Sequence, residues 1–115
     1  MIRLSDERGS GSVLAVGVGG AVIVTTLSTI VALGALVAHQ RVMNAADAAA
    51  LAGADAASGA IAGEPCALAG RAAEANGAVV LACSSDGAVV SVTAGTSWAG
   101  IPLSARSRAG PPPER

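Results

Sequence analysis

A chain of 115 residues is at most one ordinary domain, and less if part of it lies in a membrane. Alanine makes up about a quarter of it, glycine is abundant, all seven basic residues are arginine, and Trp98 is the only aromatic. With a formal net charge of −1, scattered arginines and no aromatic platform beside them, the chain lacks the basis for nucleic-acid binding.

Residues 1–12 form a leader, IRLSDER after the first methionine, that mixes charges of both signs. From Val13 to Ala38 follow 26 residues without a charge. At ~1.5 Å rise per residue such a helix crosses a hydrocarbon core of ~30 Å with tilt. The hydroxyls of Thr25, Thr26, Ser28 and Thr29 can return hydrogen bonds to carbonyls one turn back, so they do not forbid insertion. A buried soluble helix is disfavoured, because too few residues remain to wrap a helix that is apolar all round. A cleaved secretory signal is disfavoured by the length of the apolar run, the mixed leader and the poor cleavage site LVA at 36–38. Arg3 and Arg8 precede the span and Arg41 follows it, which by the positive-inside rule places the N-terminus in the cytoplasm. Gly17, Ala21, Thr25 and Thr29 recur at four-residue steps and form a small-residue stripe that lets another helix approach. A composition this rich in alanine and glycine also produces such stripes by chance.

Residues 39–63 open on the interfacial His39-Gln40-Arg41 and continue as an alanine-rich helix, with no proline between Val42 and Ser58. Asn44, Asp47, Asp55 and Ser58 share one sector of the helical wheel, interrupted by Leu51. The other positions are nearly all alanine or glycine, which reads as a thin rod suited to lying against other helices. Gly59 and Gly63 end it, and a second helix is expected from Pro65 to Asn76, stopped by Gly77. AVVLAC (78–83), a turn SSDG and AVVSVTA (88–94) read as a β-hairpin. IPLSARSRA (101–109) alternates as a third strand, with Pro102 confining it to an edge or a strand start and with Arg106 and Arg108 on one face. Residues 64–110 thus form a small helix-plus-three-strand module, and 111–115 a frayed tail.

A helix from Cys66 to Asn76 rises ~15 Å. A strand from Ala78 to Cys83 returns ~17 Å if it packs antiparallel to that helix, bringing Cys83 beside Cys66. Outside the cytoplasm this pair tends to form a disulfide, and so small a module needs such a staple or an assembly partner. Catalytic and metal chemistry find little footing. His39 is the only histidine, two cysteines are too few for structural zinc, and neither GSG at 9–11 nor GVGG at 17–20 fits a nucleotide-binding motif. The expectation is a protein that is not an enzyme and takes no cofactor, metal or small-molecule substrate.

QRVMNAADAAALAGA (40–54), following a membrane span, resembles the motif of Tad-type pilus assembly proteins, Q-x-x-x-N-A-A-D-A-A-A-L-A. Gln40, Asn44, Ala45, Ala46, Asp47, Ala48, Ala49, Ala50, Leu51 and Ala52 carry the match. The layout from residue 6 to 110 is also similar to small actinobacterial TadE-like proteins: DERGSG at 6–11, span, motif, two cysteines around Ala75-Asn76-Gly77, and an arginine-bearing end. The resemblance implies an α+β protein of pilin-like layout. It would be a pseudopilin-like or accessory component of a Tad (type IVb pilus-related) machine in a bacterial membrane, working by helix packing with other subunits. Gln40, Asn44, Asp47 and Leu51 become its candidate partner contacts. Gly9-Ser10 and Gly11-Ser12 are candidate processing sites, although cleavage there puts Leu14 or Val16 where processed pilins usually carry an acid. Two other readings stand beside this one: a small disulfide-stapled protein released from a signal sequence, and a membrane-anchored module that binds another envelope protein.

Overall fold

The computed structural model describes the backbone of residues 2–113 and the side chains of 9–113. The fold is α+β, a long apolar N-terminal helix followed by a short helix and a three-stranded antiparallel sheet. Helix α1 spans Ile2–Ala57, α2 spans Pro65–Ala75, and strands β1, β2 and β3 span Val79–Asp86, Val89–Trp98 and Ile101–Ala109. Residues 2–12 of the leader continue helically into the apolar run as the first turns of α1. The chain divides into two units between Gly34 and Ala35.

In the first unit α1 is long and apolar enough to cross a membrane. Leu14, Val18, Val22, Ile30 and Leu33 are all more than half exposed, so this part of the helix has no protein core of its own. Its hydroxyls are satisfied internally. Thr25 donates to the Ala21 carbonyl at 2.9 Å, Thr26 to Val22 at 2.8 Å, Ser28 to Val24 at 2.8 Å and Thr29 to Thr25 at 2.8 Å. Such bonds remove the cost of carrying an unpaired hydroxyl into hydrocarbon.

The second unit is built on the last turns of α1. Val42, Ala45, Ala46, Ala49, Ala50 and Gly53 recur at helical spacing and are buried. Ala49 and Ala50 pack with Ala69 and Ala73 of α2 and with Val90 and Val92 of β2. One turn earlier, Val42, Ala45 and Ala46 pack with Ala78 and Ala94, and Leu103 and Ala105 of β3 close the side. The alanine rod thus lies against its own α2 and its own sheet, so the face expected to meet other helices is filled within the chain. The reason is steric. A Cβ on Gly53 would stand 2.8 Å from Val90 Cγ1 and 3.2 Å from the Pro65 carbonyl oxygen, so the elements approach too closely for larger side chains. Val42, Val90 and Val92 are the largest fully buried side chains. At ~1.5–3 kcal/mol for each such residue the core is thin.

Local chemistry sets the ends of each element. Gly59 and Gly63, at φ +82° and +141°, turn the chain after α1. The Glu64 carboxylate caps α2, accepting from the amides of Cys66 at 3.1 Å and Ala67 at 2.7 Å, with Pro65 in the first turn. The strands form a meander in the order β1-β2-β3. The first hairpin is tighter than SSDG suggested. Ser84, Ser85 and Asp86 are in β1, paired with Ser91, Val90 and Val89, leaving Gly87-Ala88 as the loop. A two-residue loop opening on a positive-φ glycine matches the twist of the strands, so backbone pairing runs on through polar residues. Strand β2 likewise continues past Ala94 to Trp98, which pairs with Ile101 across Ala99-Gly100, both at positive φ. In β3 the side chains of Ser104, Arg106 and Arg108 are exposed, while Leu103, Ala105 and Ala109 are half-buried.

The glycines of the two helices give a paired test. Gly53→Ala should destabilise the chain by ~1–2 kcal/mol, because overpacking outweighs a helix-propensity gain of ~1 kcal/mol. A Cβ at Gly70 meets nothing within 4 Å, so Gly70→Ala should stabilise by ~0.5–1 kcal/mol. Chemical denaturation of the two purified full-length variants, followed by circular dichroism, checks both signs.

Candidate functional site

Because the alanine face of α1 is occupied by the sheet, its opposite face is set free. Gln40, Asn44, Asp47, Leu51, Asp55 and Ser58 follow one another at steps of three or four residues, and all six are exposed. Leu51 is 59% exposed, an aliphatic side chain in the middle of a polar stripe. The Gln40 amide Nε2 donates to Asn44 Oδ1 at 3.1 Å, which accounts for the four-residue offset between them. Ser58 donates to the Asp55 carbonyl at 3.1 Å. Asp47 stands one turn beyond Asn44 on the same stripe. Four sequence-nominated contacts, Gln40, Asn44, Asp47 and Leu51, therefore share one open face. The buried Ala45, Ala46, Ala49 and Ala50 of the same motif face the other way.

In the first unit Gly17, Ala21, Thr25 and Thr29 are exposed, and a Cβ on Gly17 would meet nothing within 4 Å. That stripe is open to a neighbouring helix. Gly9, Ser10, Gly11 and Ser12 lie within α1 and are exposed.

Cys66, in the first turn of α2, and Cys83 of β1 are joined by a disulfide with a Cα–Cα distance of 5.9 Å. Cys83 is paired with Val92 and points into the core side of the sheet. The link fastens α2 to the edge strand across 17 residues of sequence.

Among the described residues no group of three or more histidines, cysteines or acids is placed to hold a metal ion. His39 is exposed on α1. An open groove of about 780 Å³ runs along the outer side of the sheet past Val79, Leu81, Gly95 and Pro102, with Glu74 as its one charged lining residue. A smaller cleft places Trp98 beside Ala38, Arg41 and Asn76. Sequence reasoning had assigned Trp98 no role, since an isolated aromatic carries no spacing signal. Nor did it find the alanine contact face, because alanine occupies both sides of the wheel. No protein-family model, curated protein or solved structure matches this chain.

The disulfide closes a loop whose constraint on the unfolded chain is worth ~3 kcal/mol. Replacing both cysteines by serine should lower unfolding stability by about that amount. In the native chain both thiols should resist alkylation until a reductant is added, read as a mobility shift on a non-reducing gel.

Proposed function

We propose that this chain is a single-span bacterial membrane protein that serves as a pseudopilin-like or accessory subunit of a Tad-type assembly or secretion system. Its work is helix packing rather than catalysis, and its partners are other subunits of the machine. The observation that supports this reading best is the division of the 40–52 motif into two faces. Its alanines are used inside the chain, whereas Gln40, Asn44, Asp47 and Leu51 remain open along one line. None of those four residues is used in the core, and a face of paired amides, one acid and one leucine suits the register-setting contact of a partner helix. The glycine-led stripe from Gly17 to Thr29 offers a second contact inside the membrane.

Two independent features support the proposed orientation. Arg3 and Arg8 lie ahead of the span, favouring a cytoplasmic N-terminus. The Cys66–Cys83 disulfide belongs to an oxidising compartment, favouring a C-terminal module outside the cytoplasm. The competing reading, release as a small secreted protein, draws on the second unit, which begins only at Ala35. Membrane fractionation separates the two: full-length chain in the membrane pellet is expected, and recovery in the medium alone would contradict the anchor.

Asp47→Ala should leave expression, membrane insertion and thermal unfolding unchanged, because the side chain is exposed. Recovery of partner subunits by in vivo photocrosslinking from position 51 should fall several-fold. Unchanged recovery would reduce the stripe to a solvated helix face.

A further inference from the structure

We infer that the β2–β3 hairpin tip, Trp98–Ile101, is a second membrane contact, with Trp98 and Ile101 entering the headgroup–acyl boundary of the bilayer that α1 crosses. The inference rests on the reading of α1 as a membrane span and adds a lipid-binding surface to it.

Three observations converge on this tip. The first is its level along α1. Strand β2 runs toward the N-terminal end of the helix, since Val92 packs with Ala49 and Ala50, and Ala94 packs with Val42, Ala45 and Ala46. Four residues further on, Trp98 has advanced ~13 Å at the usual strand rise. The same distance on a helix is about nine residues, so Trp98 is carried to the last residues of the uncharged run that ends at Ala38. The cleft that Trp98 shares with Ala38 and Arg41 places it there independently.

The second observation is chemical. No charged residue occurs between Asp86 and Arg106, so the whole tip is uncharged, and Ile101 is 55% exposed. Val79, which opens β1 at this same end of the sheet, is 53% exposed. At the opposite end stand Asp86, the α2 cap Glu64 and the exposed Arg108, paired with Ser91. Glu74, in the last turn of α2, is the acid on the tip's side, and it lines the outer groove. A sheet with an uncharged, partly apolar tip and its charged residues toward the far end suits a module seated tip first on a membrane.

The third is the residue type. Tryptophan concentrates at the membrane–water boundary, where its ring is apolar and its indole N–H meets the headgroups. His39 and Arg41 stand just past the end of the uncharged run, at headgroup level. The hairpin and the helix would then present one continuous interfacial ring, and seating the tip would fix how the module lies on the surface.

Trp98 makes the test direct, because the chain contains no tyrosine, no phenylalanine and no second tryptophan. The full-length protein is reconstituted into phosphatidylcholine–phosphatidylglycerol vesicles, and flotation establishes that it inserts. With lipids brominated near the head of the acyl chain, Trp98 emission should fall by about half, and with lipids brominated near the chain end it should fall less. Aqueous iodide should quench weakly. Ile101→Glu should still float but lose most of the bromolipid quenching. Emission that ignores bromolipid and is quenched by iodide overturns the inference and leaves the span intact. So does emission shielded from both quenchers, which would put a protein surface, such as a second copy, on the tip. A chain that fails to float would overturn the span and the hairpin contact together.

Discussion

The architecture depends on how closely α1 and the sheet approach each other. Gly53 sits where any side chain would strike Val90, and the alanines before it hold the same narrow gap along two further turns. Small side chains bury little apolar area each, so the helix–sheet contact contributes modestly per residue. Its strength is geometric, since a gap that admits only methyl groups admits only one register. The disulfide complements it by tying α2 to the free edge of β1, where hydrophobic burial alone is thin.

A close-packed alanine face has a consequence for the rest of the helix. Once alanine meets the sheet, the residues on the far side cannot contribute to the core, and their identity is released for contacts with other molecules. A single heptad-like motif thereby serves two ends. Ala45, Ala46, Ala49 and Ala50 pack the core of the module, while Gln40, Asn44, Asp47 and Leu51 stay exposed and, in the proposed role, serve recognition. The same partition runs through the sheet. Val90, Val92 and Ala94 face the helices, whereas Arg106 and Arg108 stay in solvent and Val79 and Ile101 stay bare.

Much of the fold was legible because the relevant signals are local. An uncharged run of 26 residues, a proline after two glycines, and β-branched runs around a glycine turn specify their own elements. The third strand is found at Ile101–Ala109, where alternation and an early proline both pointed. The opposed lengths of α2 and β1 sufficed to set Cys66 and Cys83 side by side on paper, as they are in space. What escaped was non-local. Burial of one side of an alanine helix leaves no trace in hydropathy when both sides are alanine, so the rod read as a surface for other helices. Ser84, Ser85 and Asp86 read as a turn because polar residues signal loops, but cross-strand pairing to Ser91, Val90 and Val89 draws them into β1. Trp98 gained meaning only when pairing with Ile101 fixed where the hairpin tip falls along α1.

In the proposed role the two faces of residues 42–53 meet different surfaces: the chain's own sheet and α2 on one side, a partner on the other. Single-cysteine substitutions at Ala46, Ala50, Asp47 and Leu51, probed with a water-soluble maleimide, test it most directly. The comparison is between purified protein in detergent and native membranes. Positions 46 and 50 should be protected in both, while positions 47 and 51 should react freely when purified and become protected in the membrane. Equal reactivity of 47 and 51 in the two settings, or ready labelling of 46 and 50 in the purified chain, would contradict the account.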